Sequence, residues 1–129
     1  MKLNGLFVIS AVYLGLVGLG FLFAPTALMF GTVGSGASAA LIANLRGPAS
    51  TFIAIAVLNW MARNTEASSA RDAIVLANTV GFGIAGILDV LAVLTSGAPT
   101  IELVPAIINL IIAVAFFMAG KASMSASAK

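Results

Sequence analysis

The chain has 129 residues, of which 61% are hydrophobic and only 8% are charged, with six Lys and Arg against four Asp and Glu. Soluble domains carry about 25% charged residues, so this composition argues against an ordinary soluble protein. No cluster of Lys and Arg suits a phosphate backbone, which leaves nucleic-acid binding without support. Cys and His are both absent. We therefore expect no metal site, no cofactor and no enzymatic activity, because the usual nucleophiles, metal ligands and proton-transfer groups are missing.

Four long apolar runs follow one another along the chain, at about residues 3–24, 39–62, 72–95 and 100–120. A helix needs about 20 apolar residues to cross the hydrocarbon core of a bilayer, and each run reaches that length. The predicted fold is therefore all-α, a single domain formed by an integral membrane bundle of four transmembrane helices. No internal repeat is evident from the sequence.

Helix boundaries are marked by specific residues. Pro25 is expected to stop the first helix, and the Gly/Ser-rich stretch 31–36 forms a connector. Ser69 and Asp72 match a capping box that would start the third helix. The turn at 96–99, with Gly97 and Pro99, predicts that the third and fourth helices are antiparallel neighbours. Pro48 follows Gly47 inside the second helix and predicts a kink there.

The distribution of Lys and Arg predicts the orientation. Lys2, Arg63, Arg71, Lys121 and Lys129 fall at the N-terminus, in the middle connection and at the C-terminus. By the positive-inside rule, both termini face the cytoplasm, and we expect a multi-pass protein of a bacterial inner membrane.

Three ionisable residues lie within or at the edge of the apolar runs, namely Arg46, Asp89 and Glu102. Charges at membrane depth are costly and call for a partner or water. Arg46 and Asp89 both lie about 10 Å below the same predicted membrane surface. We therefore predict an interhelical ion pair between them, with Glu102 nearby. An alternative is that these residues line a small cavity that binds a solute or a proton.

Asparagines share these helices. Asn109 lies on the same helical face as Glu102, seven residues away, and is a further ligand or ion-pair candidate. Asn78 lies on the same face as Asp89. Asn44, Asn59 and Asn78 are candidates for interhelical polar contacts, and Asn59 and Asn78 fall at similar depth. Glycines in the first and third helices predict close contacts between helix backbones.

Two short segments carry a resemblance to a known family. Leu22-Phe23-Ala24-Pro25 ends the first helix, and Asn44-Leu45-Arg46-Gly47, followed by Ala49 and Ser50, opens the second. With its length and helix count, the chain resembles small four-helix bacterial membrane proteins of unknown function, distantly similar to DoxX-like proteins. The resemblance implies a four-helix membrane fold and no particular function.

Two functional hypotheses follow. The first is a non-enzymatic accessory or assembly subunit that packs in the lipid bilayer against other membrane proteins or against itself. The alternative is a small oligomeric transporter, proton-coupled or solute-specific, that uses Asp89 and Glu102. Bound pigment or quinone stays open, since apolar clefts leave little trace in a sequence.

Overall fold

The computed structural model describes residues 2–29 and 36–127, with side chains up to residue 123. Residues 31–35 of the predicted connector and Lys129 lie outside the described residues. Four long helices make up the described fold: α1 Leu3–Phe23, α2 Ala39–Ala62, α3 Ser69–Ser96 and α4 Leu103–Ser127. Short 3-10 turns, Ala27–Met29 and Thr100–Glu102, follow α1 and precede α4. The predicted all-α fold is confirmed, and all four helices are long and apolar enough to span a membrane.

Two predicted helix ends are confirmed, but the predicted end of the fourth helix at about residue 120 is wrong, because α4 continues to Ser127. α1 stops at Phe23, two residues before Pro25, and Gly97 adopts a left-handed conformation (φ 69°) that ends α3. The predicted start of α3 is wrong by one residue, because Ser68, not Ser69, caps the helix by accepting a hydrogen bond from the Arg71 N–H at 3.3 Å. α2 continues as one helix through Pro48.

The helices form two antiparallel hairpins, α1 with α2 and α3 with α4. The hairpins meet mainly where α1 touches α4, whereas α2 and α3 touch sparingly. We call the end of the bundle with Lys2 and the 63–68 connection the terminal end, and the opposite end, with Gly97, the turn end. A packed core fills the terminal half, where the buried rings of Phe7 and Phe116 meet edge-to-face at a centroid distance of 5.4 Å.

A glycine allows close approach at the centre of each hairpin. A Cβ atom on Gly18 of α1 would lie 2.8 Å from Ile53 Cγ1 and 3.2 Å from the Ala49 carbonyl oxygen of α2. A Cβ atom on Gly86 of α3 would lie 2.7 Å from Leu110 Cγ and 2.9 Å from the Ala106 carbonyl oxygen of α4. The predicted glycine contacts are confirmed at these two positions. Backbones this close gain van der Waals contact that a larger residue would prevent.

The two hairpins repeat the same contacts at equivalent positions. In each, the carbonyl that meets the glycine belongs to an alanine directly after a proline, Pro48-Ala49 in α2 and Pro105-Ala106 in α4. One helical turn earlier in α1 and α3, Gly15 and Gly83 face Ala56 and Ala113 at 3.8 and 3.9 Å. The two hairpins therefore share this pattern of close contacts. The sequence alone does not reveal the pattern, because only a few scattered positions are alike.

Candidate ligand-binding cavity

A cavity of about 490 Å³ lies between the two hairpins, in the half of the bundle nearer the turn end. This volume falls within the range of small-molecule sites, roughly 300–1,000 Å³. All four helices contribute to its lining, together with Leu28 and Met29 of the 3-10 turn after α1. The cavity opens between α2 and α3, where its lining residues Leu58, Ala77 and Gly81 are exposed.

One wall of the cavity carries a hydrogen-bonded chain from three helices. The Tyr13 hydroxyl of α1 donates to Asn109 Oδ1 of α4 at 3.1 Å, and Asn109 Nδ2 donates to Asp89 Oδ2 of α3 at 3.2 Å. Asn109 is buried, whereas Tyr13 and Asp89 are half-buried and reach the cavity. Because its amide accepts a hydrogen bond from Tyr13 and donates one to Asp89, Asn109 holds the Asp89 carboxylate in place on the wall.

The carboxylates of the cavity retain free acceptor capacity. Within the described part of the chain, Asp89 Oδ1 and both side-chain oxygens of Glu102 accept no hydrogen bond and make no ion pair. In this part of the chain, every buried side-chain oxygen or nitrogen has a hydrogen-bond partner. Because these three oxygens have none, they are not buried in the protein interior. Both carboxylates line the cavity. They can therefore accept hydrogen bonds from a molecule within it.

The opposite wall, built from α1 and α2, is aromatic and apolar. The rings of Phe21 and Phe52 stack with centroids 5.7 Å apart and planes inclined by 17°. Phe21 and Asp89 are separated by the same number of residues as Gly18 and Gly86. Phe52 and Asn109 are likewise separated by the same number of residues as Ala49 and Ala106. The stacked phenylalanines of the first hairpin thus stand where the second hairpin has its Asp–Asn pair. The Asp89–Asn109 pair of the cavity therefore lies on the second hairpin, and the stacked phenylalanines lie on the first.

Toward the terminal end, a second polar cluster joins the hairpins. Asn59 of α2 and Asn78 of α3 exchange two amide hydrogen bonds, both 2.8 Å long. Asn59 Nδ2 also donates to Ser10 Oγ at 3.0 Å, and Asn78 Nδ2 to the Ile74 carbonyl at 2.9 Å. Both asparagines are buried, and Asn78 lines the cavity, so this cluster bounds it on the side of the packed core.

The structure brings together most of the residues that the sequence singled out. Asp89, Glu102 and Asn109 line one cavity, and the predicted Asn59–Asn78 contact is confirmed. The predicted Arg46–Asp89 ion pair is wrong: Arg46 is exposed on α2, does not line the cavity, and makes no ion pair with Asp89. Asn44 is likewise exposed and makes no interhelical hydrogen bond to any described residue. Equal depth in the membrane did not predict the contacts of Arg46, because two residues must also lie on facing sides of their helices.

Ser10, Tyr13 and the Phe21–Phe52 pair were not identified from the sequence. Ser10 and Tyr13 are three residues apart and therefore share a face of α1, which was the available signal for a polar contact. No sequence signal marks the two phenylalanines, because apolar rings are ordinary in a membrane helix.

Among the described residues, no group of three or more Cys, His, Asp or Glu side chains could hold a metal ion. No protein-family model, curated protein or solved structure matches the chain. The DoxX-like resemblance accordingly stays a prediction.

Proposed function

We propose that this multi-pass membrane protein binds a small solute in the cavity between its hairpins and acts as a carrier for that solute. The proposal is non-enzymatic and develops the solute-transporter hypothesis drawn from Asp89 and Glu102. The single observation that carries it is the cavity itself, about 490 Å³ in volume and lined by both carboxylates. A structural role alone does not account for the free Asp89 carboxylate oxygen within the apolar span of α3, since such groups are costly there.

The proposed location is a bacterial inner membrane with both termini in the cytoplasm. Four basic residues belong to the terminal end of the bundle. Lys2 precedes α1, Arg63 directly follows α2, Arg71 lies in the first turn of α3, and Lys121 lies in the last part of α4. This arrangement supports cytoplasmic termini through the positive-inside rule. The cavity then lies in the half of the membrane away from the cytoplasm.

A cavity-filling variant tests solute binding. The full-length protein is purified in mild detergent, and its small-molecule content is measured by mass spectrometry after extraction. Ala85 lines the cavity, so Ala85→Phe should exclude the solute; Ala54 is exposed on α2 and outside the cavity, so Ala54→Phe is the matched control. We expect a compound to co-purify with the wild type and with Ala54→Phe and to be lost from Ala85→Phe. Equal amounts in all three proteins, or none in any, would contradict the proposal.

A second proposal is the accessory or assembly subunit, and a separate observation favours it. α2 exposes Asn44, Arg46, Ser50 and Thr51 within its apolar span. Polar side chains that face outward at membrane depth are stabilised by contact with another membrane protein or by a second copy of the chain.

The native mass of the tagged protein in mild detergent tests this second proposal. Stoichiometric partners, lost in Arg46→Ala but kept in Arg63→Ala at the end of α2, would support it. A monomer without partners would contradict it and leave solute binding unaffected.

A further inference from the structure

The chemistry of the cavity narrows the class of molecule that it accepts. This inference rests on the proposed function, because it concerns the ligand of the same cavity. We infer that the cavity binds an amphiphilic cation, with its positive charge at the Asp89 and Glu102 carboxylates and its apolar body against Phe21 and Phe52.

The charge of the cavity lining favours a cation. Two carboxylates line the cavity, and none of the described lining residues is Lys or Arg. Arg46, the one cation within the apolar span of α2, is exposed elsewhere on that helix. The Asn109 amide donates only one hydrogen bond to Asp89, and Glu102 receives none from a described side chain. A bound cation would compensate this uncompensated negative charge, whereas an anion would add to it.

The shape and polarity of the walls give the second argument. Apolar side chains dominate the lining, and the stacked rings of Phe21 and Phe52 form the wall of the first hairpin. Aromatic faces attract cations and also bury apolar groups. A small inorganic cation would leave this wall without a contact. A cation carried on an aliphatic or aromatic body would use both halves of the cavity.

The position of the cavity opening also favours an amphiphilic cation. The cavity opens sideways between α2 and α3, at Leu58, Ala77 and Gly81, where the helices face the surroundings of the bundle. In a membrane these surroundings are lipid. A molecule that enters by this route must first partition into the bilayer, as amphiphilic cations do and hydrated inorganic cations do not.

Two ions of the same shape and opposite charge test the inference. Tetraphenylphosphonium is the cation and tetraphenylborate the anion, and an uncharged aromatic fluorophore serves as a third probe. Binding to the full-length protein in lipid nanodiscs is measured by equilibrium dialysis, with empty nanodiscs subtracted. We expect saturable binding of the cation and none of the anion. Because this comparison uses only the wild type, it does not depend on the folding of any variant.

Carboxylate variants locate the charge. Asp89→Asn or Glu102→Gln should raise the Kd of the cation about tenfold, because each removes a charge-assisted contact. Asp72→Asn in the first turn of α3 and Glu66→Gln in the 63–68 connection are the matched controls and should leave the Kd unchanged. Circular dichroism and thermal unfolding establish that each variant is folded.

The outcomes separate this inference from the proposed function. Binding of the anion or the uncharged probe as tightly as the cation overturns the inference and leaves solute binding in place. Cation binding that survives unchanged in the Asp89→Asn, Glu102→Gln double variant also overturns it. No binding of any probe, with no compound co-purifying from cells, overturns both.

Discussion

Asn59 and Asn78 pair side by side, each amide nitrogen donating to the other's oxygen at 2.8 Å, although they lie on α2 and α3, the two neighbouring helices that touch least. The pair joins one hairpin to the other through side chains, beyond their covalent connection at 63–68. Ser10 of α1 extends the contact, so three helices share one buried polar cluster. In an apolar medium such amides have no water to bond, which makes their mutual pairing favourable.

A double-mutant cycle measures this amide pair. We expect Asn59→Ala and Asn78→Ala each to lower the free energy of unfolding. The coupling energy between them should be about 0.6–1.7 kcal/mol, which runs from the average to the maximum measured for hydrogen bonds between membrane helices. Unfolding in mixed micelles with increasing denaturing detergent gives these values. Asn64→Ala, at an exposed position after α2, combined with Asn78→Ala is the control cycle and should show no coupling. Additive effects of Asn59→Ala and Asn78→Ala would contradict the pairing.

Gly86→Ala should destabilise the α3–α4 hairpin. The added methyl group would lie 2.9 Å from the Ala106 carbonyl oxygen, and a backbone atom cannot move aside as a flexible side chain can. We expect a loss of about 1–3 kcal/mol in the free energy of unfolding, as for other overpacked sites. Gly81→Ala on the same helix is the control, since a Cβ there meets nothing within 4 Å. It should be neutral or stabilising, because alanine favours helix more than glycine does. Similar losses for both variants would refute close packing at Gly86.

Arg46 and Asn109 should differ sharply in their effect on stability. Asn109→Leu leaves the Tyr13 hydroxyl and Asp89 without their partner and should cost about 1–3 kcal/mol. Arg46→Leu removes an exposed side chain that contacts neither residue, so the free energy of unfolding should change by less than about 0.5 kcal/mol. The same detergent titration compares the two variants. If Arg46→Leu lowered the free energy of unfolding as much as Asn109→Leu does, this result would support the Arg46–Asp89 ion pair that the sequence predicted.

The orientation can be checked with single cysteines, because the natural sequence contains none. Asn64→Cys places a thiol in the connection at the terminal end, and Ser96→Cys places one at the turn end; both positions are exposed. With a membrane-impermeant maleimide added to intact cells, we expect labelling at position 96 and none at position 64. After cell lysis both should react. The reverse pattern in intact cells would place the termini outside the cytoplasm.

Part of the candidate site was predictable from single residues. Asp89, Glu102 and Asn109 stand out because polar groups are rare in apolar runs, and Asn78 and Asp89 share a face of α3 as helical periodicity requires. The partner of Asp89 was not predictable in this way. Depth alone favoured Arg46, whereas the contact with Asn109 depends on how α3 and α4 are rotated against one another.

The sequence by itself determined that the chain forms four membrane-length helices, where α1 ends, and that α3 and α4 are antiparallel. These features depend only on nearby residues. The length of an apolar run determines whether a helix can span the membrane, and Pro25 and Gly97 end helices through the backbone conformations that they impose or allow. Only the tertiary structure decided that the two hairpins share the same close glycine contacts and that a cavity with one aromatic and one acidic wall lies between them. Phe21 and Phe52 are ordinary membrane residues until packing brings them together opposite Asp89, since helix rotation and close approach arise from contacts summed over the whole bundle.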